Sequence, residues 1–272
     1  MWEKGIIMKY ESYIFDLYGT LVDIHTEEEL DELWDKLALF YGYYDALYTP
    51  EELKRRYSEL VSGKEEVLRR ELSQSNDKRD DVHESHPEIR IEQVFRALFE
   101  EKGVMADDVL AIHAGQFFRI LSTEYVRLYD GVIEVLEALK KAGKKVYLLS
   151  NAQRIFTEYE MHTLGIASYF DDIFISSECS VKKPDVRFFE LLLNKHQIDV
   201  TKAIMIGNDA KSDIMGARNV GLTTCYIHSN ISPELPKRRV KDAKGKVTEQ
   251  LIMPEADFVL EEMDMEKLLT IL

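Results

Sequence analysis

The chain has 272 residues, 45% of them hydrophobic, so it is long enough for one large domain or two modest ones with a sizeable core. Its formal net charge of −15 argues against a surface for nucleic acid or for an anionic membrane, although a few local cations can still bind an anionic substrate. No apolar run is long enough to span a membrane, and the two cysteines, Cys179 and Cys225, suit free thiols in a reducing cytosol, so we expect a cytoplasmic protein.

The first predicted element is a strand over residues 10–17 that ends in a single carboxylate, Asp16. A charge in an apolar strand is expected where the strand ends, and in an open α/β sheet the carboxyl end faces the ligand crevice. Gly19 permits a tight turn just afterwards, and Thr20 adds a hydroxyl close to Asp16. A capping role for Asp16 in an ordinary turn fits the same local pattern.

Residues 26–129 have the pattern of helices without strands. A capping box at Thr26–Glu29 and a Thr-Pro pair at 49–50 predict two helix starts, and residues 88–103 and 107–128 predict two further helices. The block is too long for a loop, so we expect an all-α unit.

From residue 130 onwards, helices and strands alternate. The predicted strands cover 145–149, 172–176, 202–206, 223–227 and 257–260, and the predicted helices cover 131–142, 152–164, 185–196 and 212–220. This order predicts an α/β fold with a Rossmann-like parallel sheet and helices on both faces. Residues 237–251 interrupt it with an expected hairpin around 243–245.

Polar residues follow four separate strand ends or the loops after them. They are Asp16, Ser150 with Asn151, Lys183, and Asn208 with Asp209. A doubly wound sheet brings such ends to one crevice, so we expect an active site there. Ser150, Asn151, Asn208 and Asp209 are also suitable caps for the helices that follow them.

Four stretches resemble the four motifs of the haloacid dehalogenase-like (HAD) hydrolase superfamily. They are Phe-Asp-Leu-Tyr-Gly-Thr (15–20), Leu-Leu-Ser-Asn (148–151), Lys-Lys-Pro-Asp (182–185) and Ile-Gly-Asn-Asp-Ala-Lys-Ser-Asp (206–213). The resemblance implies a HAD-like core of residues 1–25 and 129–272. It also implies a helical cap of the C1 type at 26–128.

The resemblance implies a role for each motif residue. Asp16 is the expected nucleophile, Thr20, Ser150 and Lys183 hold the reacting group, and Asn151 and Tyr18 contribute to substrate binding. Mg²⁺ is the expected cofactor, bound by Asp16, the carbonyl of Tyr18 and either Asn208 or Asp209, because Mg²⁺ prefers oxygen ligands. Asp213 is expected to orient a metal ligand or Lys183.

One departure from the phosphatase pattern leaves the function open. Tyr18 stands where phosphatases of the family carry a second Asp, and tyrosine is a poor general acid because its ordinary pKa is about 10. The first expectation is a Mg²⁺-dependent phosphatase of a small phosphorylated metabolite. One alternative is a metal-independent 2-haloacid dehalogenase-type hydrolase, although Phe189 and Ala210 differ from the residues of that branch. The other is a phosphate- or metabolite-binding protein with little turnover. The sequence predicts no particular oligomeric state.

Overall fold

The computed structural model describes residues 8–74, 86–241 and 247–272. The strands are β1 (Ser12–Phe15), β2 (Val22–Thr26), β3 (Thr123–Leu128), β4 (Lys145–Ser150), β5 (Asp172–Ile175), β6 (Ala203–Gly207), β7 (Thr223–Ile227), β8 (Lys237–Lys241), β9 (Val247–Leu251) and β10 (Phe258–Leu260). The helices are α1 (Asp31–Gly42), α2 (Pro50–Gln74), α3 (Glu92–Glu101), α4 (Asp108–Ser122), α5 (Val132–Lys141), α6 (Arg154–Thr163), α7 (Val186–His196), α8 (Gly216–Asn219) and α9 (Met265–Ile271).

Six strands form a parallel sheet in the order β10-β7-β6-β1-β4-β5, which confirms the predicted α/β class. Strand β1 lies between β6 and β4, and Phe15 is in register with Ile206 on one side and Leu148 on the other. The carboxyl ends of β6, β1 and β4 therefore lie side by side.

Helices cover both faces of the sheet because successive side chains of a strand point to opposite faces. Tyr13 and Phe15 pack in a core with α5 and α9, whereas Ile14 packs in a second core with α7. All four residues of β1 are buried. This two-sided burial fixes the direction of β1 and so the position of Asp16 at its end.

Helices α1 to α4, together with the described residues between them, pack around one hydrophobic core and are called the helical unit below. The buried side chains of this core include Trp34, Tyr41, Phe95, Phe99 and Phe118. Strands β2 and β3 pair antiparallel and connect this helical unit to the sheet. The predicted helix over 107–128 is wrong at its end, because α4 stops at Ser122 and the remaining residues form β3.

Of the two helix starts predicted by local sequence signals, one is confirmed and one is wrong. The Thr-Pro start is confirmed, since α2 begins at Pro50 and Glu52 N donates to Thr49 Oγ1 at 3.2 Å. The capping box at Thr26 is wrong, because α1 begins only at Asp31, with Leu30 as its N-cap.

The β8–β9 hairpin is confirmed, and its predicted turn at 243–245 lies outside the described residues. Among those residues, no helix has the length and apolar character to cross a bilayer.

Candidate active site

The loop after β1 turns sharply and carries Asp16 into a buried position. The carbonyl oxygen of Leu17 accepts hydrogen bonds from the N–H groups of Thr20, Leu21 and Val22, which closes the turn. Gly19 has a φ of +83°, and a Cβ placed there would lie only 2.1 Å from Asn208 Nδ2. Glycine is therefore needed for the turn and for the close approach of the loop after β6.

The Lys183 ammonium contacts two carboxylates, Asp16 after β1 and Asp213 in the turn after β6. Its Nζ lies 2.8 Å from Asp16 Oδ1, 2.6 Å from Asp213 Oδ1 and 2.7 Å from the carbonyl oxygen of Leu149. The Lys183 side chain is only 1% exposed. Burial alone lowers a lysine pKa, but Asp16 and Asp213 outweigh it and raise the pKa of Lys183, so its ammonium stays charged.

Asp213 lies in the π-helical turn Ala210–Met215 that follows β6. Burial raises the pKa of its carboxyl to about 7, and the Lys183 ammonium opposes this shift. Its second oxygen accepts a hydrogen bond from Asp209 N at 2.9 Å. Asp213 thus has fixed contacts at both oxygens, which hold Lys183 towards Asp16.

The end of β4 supplies two polar residues with different surroundings. Asn151 Oδ1 accepts a hydrogen bond from Lys183 N at 2.8 Å, and Asn151 Nδ2 donates to the Lys183 carbonyl at 2.9 Å. Ser150 is 1% exposed, yet its hydroxyl makes no hydrogen bond to any described residue. Buried polar groups are normally paired, so the Ser150 hydroxyl is available to bind a ligand atom.

Asn208 and Asp209, the alternative metal ligands, differ in burial. Asn208 is buried, and its Oδ1 lies 3.4 Å from Thr20 Oγ1. Asp209 is half-buried and caps the π-helical turn, accepting hydrogen bonds from Lys211 N at 2.8 Å and Ser212 N at 2.9 Å. Within residues 8–74, 86–241 and 247–272, no three His, Cys, Asp or Glu side chains are grouped as a metal site.

The Tyr18 side chain extends towards α6. Its hydroxyl donates to Glu160 Oε2 at 2.5 Å and lies 3.1 Å from Thr157 Oγ1. Arg119 of α4 lies over the Tyr18 ring and pairs with Glu160 at 2.7 Å. Burial and the neighbouring Glu160 raise the pKa of the Tyr18 hydroxyl above its usual value, so it is a still weaker acid than a free tyrosine.

The structure thus brings most of the predicted residues to one edge of the sheet. Asp16, Lys183 and Asp213 are in contact, Ser150 and Asn151 adjoin them, and Asn208 touches Thr20. Tyr18 is tied to Glu160 and Arg119, which the sequence analysis did not select. No local pattern marks either residue, because their partners lie 41 or more positions away in the chain.

Comparisons with known proteins agree with this architecture. Residues 10–221 match the family model described as haloacid dehalogenase-like hydrolase. The putative HAD-hydrolase YfnB of Bacillus subtilis is 25% identical over 84% of this chain and 88% of its own. A phosphoglycolate phosphatase of Vibrio parahaemolyticus is 30% identical over 79% of this chain and 84% of its own.

Solved structures share the fold at lower sequence identity. A HAD phosphatase from Thermococcus onnurineus has a TM-score of 0.54 at 17% identity, covering 96% of this chain and 97% of its own. Magnesium-bound YfnB from Bacillus subtilis has a TM-score of 0.50 at 20% identity, covering 97% and 99%. A dehalogenase with an intermediate complex has a TM-score of 0.52 at 14% identity, covering 98% of each chain. The family match spans most of the chain, and on that basis the chain belongs to the haloacid dehalogenase-like hydrolases and is a hydrolase enzyme.

Proposed function

We propose that the protein is a Mg²⁺-dependent phosphatase of a small phosphorylated metabolite, with Asp16 as its nucleophile. Residues 26–128 act as a C1 cap over a core of residues 1–25 and 129–272. The relatives named as phosphatases support this class of substrate. Two free cysteines, Cys179 and Cys225, agree with a cytoplasmic enzyme.

One observation carries the proposal: Lys183 contacts Asp16, while the adjacent Ser150 hydroxyl is buried and has no hydrogen-bond partner among the described residues. Asp16 Oδ1 is bound to Lys183, and Oδ2 makes no hydrogen bond to any residue in the described part of the chain. A carboxylate fixed through one oxygen presents the other for attack. The Ser150 hydroxyl is suited to donate to an anionic oxygen of the group being attacked.

The chain's own residues then account for the chemistry. Asp16 Oδ2 attacks phosphorus, the bond from phosphorus to the leaving oxygen breaks, and that oxygen takes a proton from water. Ser150 and Lys183 stabilise the phosphoryl oxygens, while Thr20 supports the loop that carries Asp16. Water then hydrolyses the aspartyl phosphate and releases inorganic phosphate. In this assignment Asn151 positions Lys183, because both polar atoms of its side chain bind the Lys183 backbone.

The charges around Lys183 favour a divalent cation. Lys183 carries one positive charge and already faces two carboxylates, so its charge alone is too small to offset a phosphate group, which carries about −1.5 to −2 charges near pH 7. The oxygen donors fit Mg²⁺, which accepts one or two carboxylates together with neutral oxygens. Asp16, the Tyr18 carbonyl and either Asn208 or Asp209 would hold it. When bound, Mg²⁺ supplies positive charge that offsets the phosphate and Asp16.

The deciding experiment compares phosphate and halide release from the purified protein. We expect phosphate release from p-nitrophenyl phosphate and from an alkyl phosphate to require Mg²⁺. Removing the metal with EDTA should lower the rate by about a hundredfold or more, since a catalytic cation supplies several kcal/mol. Chloroacetate should release no chloride. Phosphate release at the same rate in EDTA would contradict the metal requirement.

A metal-free dehalogenase is the second candidate, and Tyr18 favours it because it replaces the second Asp of the phosphatase motif. The chain has no convincing counterpart of the cap Arg–Gln segment of that branch. The nearest candidates, Arg55 and Arg56, pair with Glu59 and Glu101 on the helical unit. Chloride release from chloroacetate without Mg²⁺ would establish this alternative. Tight binding of inorganic phosphate without turnover would indicate a binding protein.

A test of Ser150 separates binding from stability. Ser150→Ala should leave the melting temperature unchanged or higher, because its hydroxyl has no partner within the described chain. A hydrogen bond to a charged group is worth about 1.5–3 kcal/mol, so phosphate affinity should fall by about tenfold or more. Calorimetric titration with inorganic phosphate and Mg²⁺ measures this.

The matched control for Ser150 is Ser122→Ala. Ser122 is also buried, but its Oγ donates a hydrogen bond to the Arg119 carbonyl at 3.1 Å. Losing that bond should reduce the free energy of unfolding by about 1 kcal/mol. Unchanged phosphate affinity in Ser150→Ala would remove Ser150 from the binding site.

A further inference from the structure

Glu88 is a buried carboxylate of the helical unit. It contacts two loops of the proposed active site: the loop after β4, which follows Ser150, and the loop that carries Lys183. Glu88 is 9% exposed and precedes α3. Its Oε1 accepts a hydrogen bond from Gln153 Nε2 at 2.8 Å, and its Oε2 accepts one from Ser176 Oγ at 3.2 Å. Oε2 also lies 3.5 Å from Lys182 Nζ. The Glu88 side chain therefore has three side-chain partners, Gln153, Ser176 and Lys182, in these two loops and at the end of β5.

The backbone on either side of Glu88 pairs with the chain just before Lys183. Pro87 and Val181 form an antiparallel bridge. Glu88 N donates to the Ser180 carbonyl at 3.1 Å, and Lys182 N donates to the His86 carbonyl at 3.0 Å. This pairing connects the helical unit to the loop before Lys183, in addition to the connections through β2, β3 and the Arg119–Glu160 ion pair.

Gln153 extends the contact of Glu88 to the loop after β4. Gln153 Nε2 also donates to the Ile89 carbonyl at 3.0 Å, and its Oε1 accepts from Ile91 N at 3.0 Å. Ser176, the second partner of Glu88, holds Ala152 N. The residues that follow Ser150 and Asn151 are thus bound to the same segment as those that precede Lys183.

Glu88 also distinguishes between two adjacent lysines. Lys182 and Lys183 are consecutive, and their side chains have separate carboxylate partners: Lys182 meets Glu88, while Lys183 meets Asp16 and Asp213. A shift of one residue in the pairing with residues 86–88 would exchange the two side chains. The Lys182 side chain is 32% exposed and the Glu88 side chain 10%, and partly buried polar contacts of this kind fix register in some proteins.

We propose that Glu88 is a positioning residue of the active site: it holds the Ser150 and Lys183 loops together and selects Lys183 as the lysine that meets Asp16. Its effect on turnover rests on the proposed function, whereas its effect on the two loops does not. Glu88 contacts no proposed substrate group, so it acts through Gln153, Ser176 and Lys182.

The test measures loop protection and turnover separately. In Glu88→Ala, amide hydrogen exchange should become faster in peptides covering 148–156 and 176–185. The kcat should fall by about tenfold to a hundredfold, as small displacements of catalytic groups do, with a smaller change in KM. Glu88→Gln keeps an acceptor for Ser176 but loses the charge that faces Lys182, so its effects should be intermediate.

Glu59→Ala is the matched control, because Glu59 also lies on the helical unit and pairs with Arg55 and Arg56, but on the surface. It should change neither exchange in the two loops nor kcat. In a Lys182→Met background, Glu88→Gln should have less effect than in the wild type, since its charge partner is already absent.

The inference would be overturned if amide exchange in both loops of Glu88→Ala were as slow as in the wild type. It would also be overturned if the wild type releases phosphate and Glu88→Ala has the same kcat. If the wild type releases no phosphate, the proposed function fails and the exchange measurement alone decides the role of Glu88. If Glu88→Ala does not fold, Gln153→Ala takes its place. That variant should speed exchange in residues 86–91, and unchanged exchange there would count against the proposal.

Discussion

Replacing Asp16 with Asn should abolish hydrolysis while the protein stays folded. An amide is a far poorer nucleophile than a carboxylate, and removing a nucleophile typically lowers turnover by about 10⁴-fold or more. Asn has nearly the same shape as Asp, and Asp16 lies at the edge of the sheet rather than within β1. We therefore expect the melting temperature to shift by only a few degrees while phosphate release disappears.

The control for Asp16→Asn is Asp172→Asn. Asp172 begins β5 and pairs with Lys195 at 2.7 Å, so the same substitution removes an Asp–Lys pair far from the proposed nucleophile. Its turnover should match the wild type. Measurement of phosphate release and thermal unfolding for both variants completes the test. Near wild-type turnover in a folded Asp16→Asn protein would exclude Asp16 from the mechanism.

The sheet and its polar strand ends are predictable because their signals are local. Each strand is a short apolar run, and a polar residue follows at once where the run reaches the carboxyl edge, as at Asp16 and Asn208. The parallel arrangement follows from alternation with helices. These two facts together predict that Asp16, Ser150 and Lys183 lie close together, and the resemblance of the fourth motif adds Asp213 to them.

The end of α4 was not predictable from its own residues. Leu121, Tyr125 and Leu128 recur at helical spacing, so residues 123–128 fit a helix as well as a strand. Pairing with β2 decides the outcome, and Ile24 lies opposite Val126 although about one hundred residues separate them in the chain.

The contacts of Glu88 and Glu160 were missed for the same reason. Each residue appears as one more acid in a charged stretch, and its burial depends on partners in other elements. Glu88 meets Ser176, and Glu160 meets Tyr18 and Arg119. Sequence patterns identify residues that belong to a strand end, but not the distant side chains that fix those residues in place.

Tyr18→Asp should raise phosphatase activity if the absent second Asp limits this enzyme. General acid catalysis contributes about 10²–10⁴-fold, and a grafted acid recovers part of it, so we expect a gain of about tenfold or more on an alkyl phosphate. The gain on p-nitrophenyl phosphate should be smaller, because that leaving group needs little protonation. The measurement is kcat/KM for both substrates with Mg²⁺ present.

The contacts of Tyr18 define the control and the competing result. Tyr18→Phe removes only the hydroxyl that donates to Glu160 and leaves the ring beside Arg119, so it should show the cost of the lost hydrogen bond without any new acid. The shorter Asp leaves a void near Arg119 and Glu160, which lowers stability, but Arg119 still pairs with Glu160. If Tyr18→Asp folds, binds Mg²⁺ and gains nothing on the alkyl phosphate, protonation of the leaving group is not the limiting step. Tyr18 would then serve to anchor the loop of Asp16 against α6 and the helical unit, and the dehalogenase or binding-protein alternatives would take precedence.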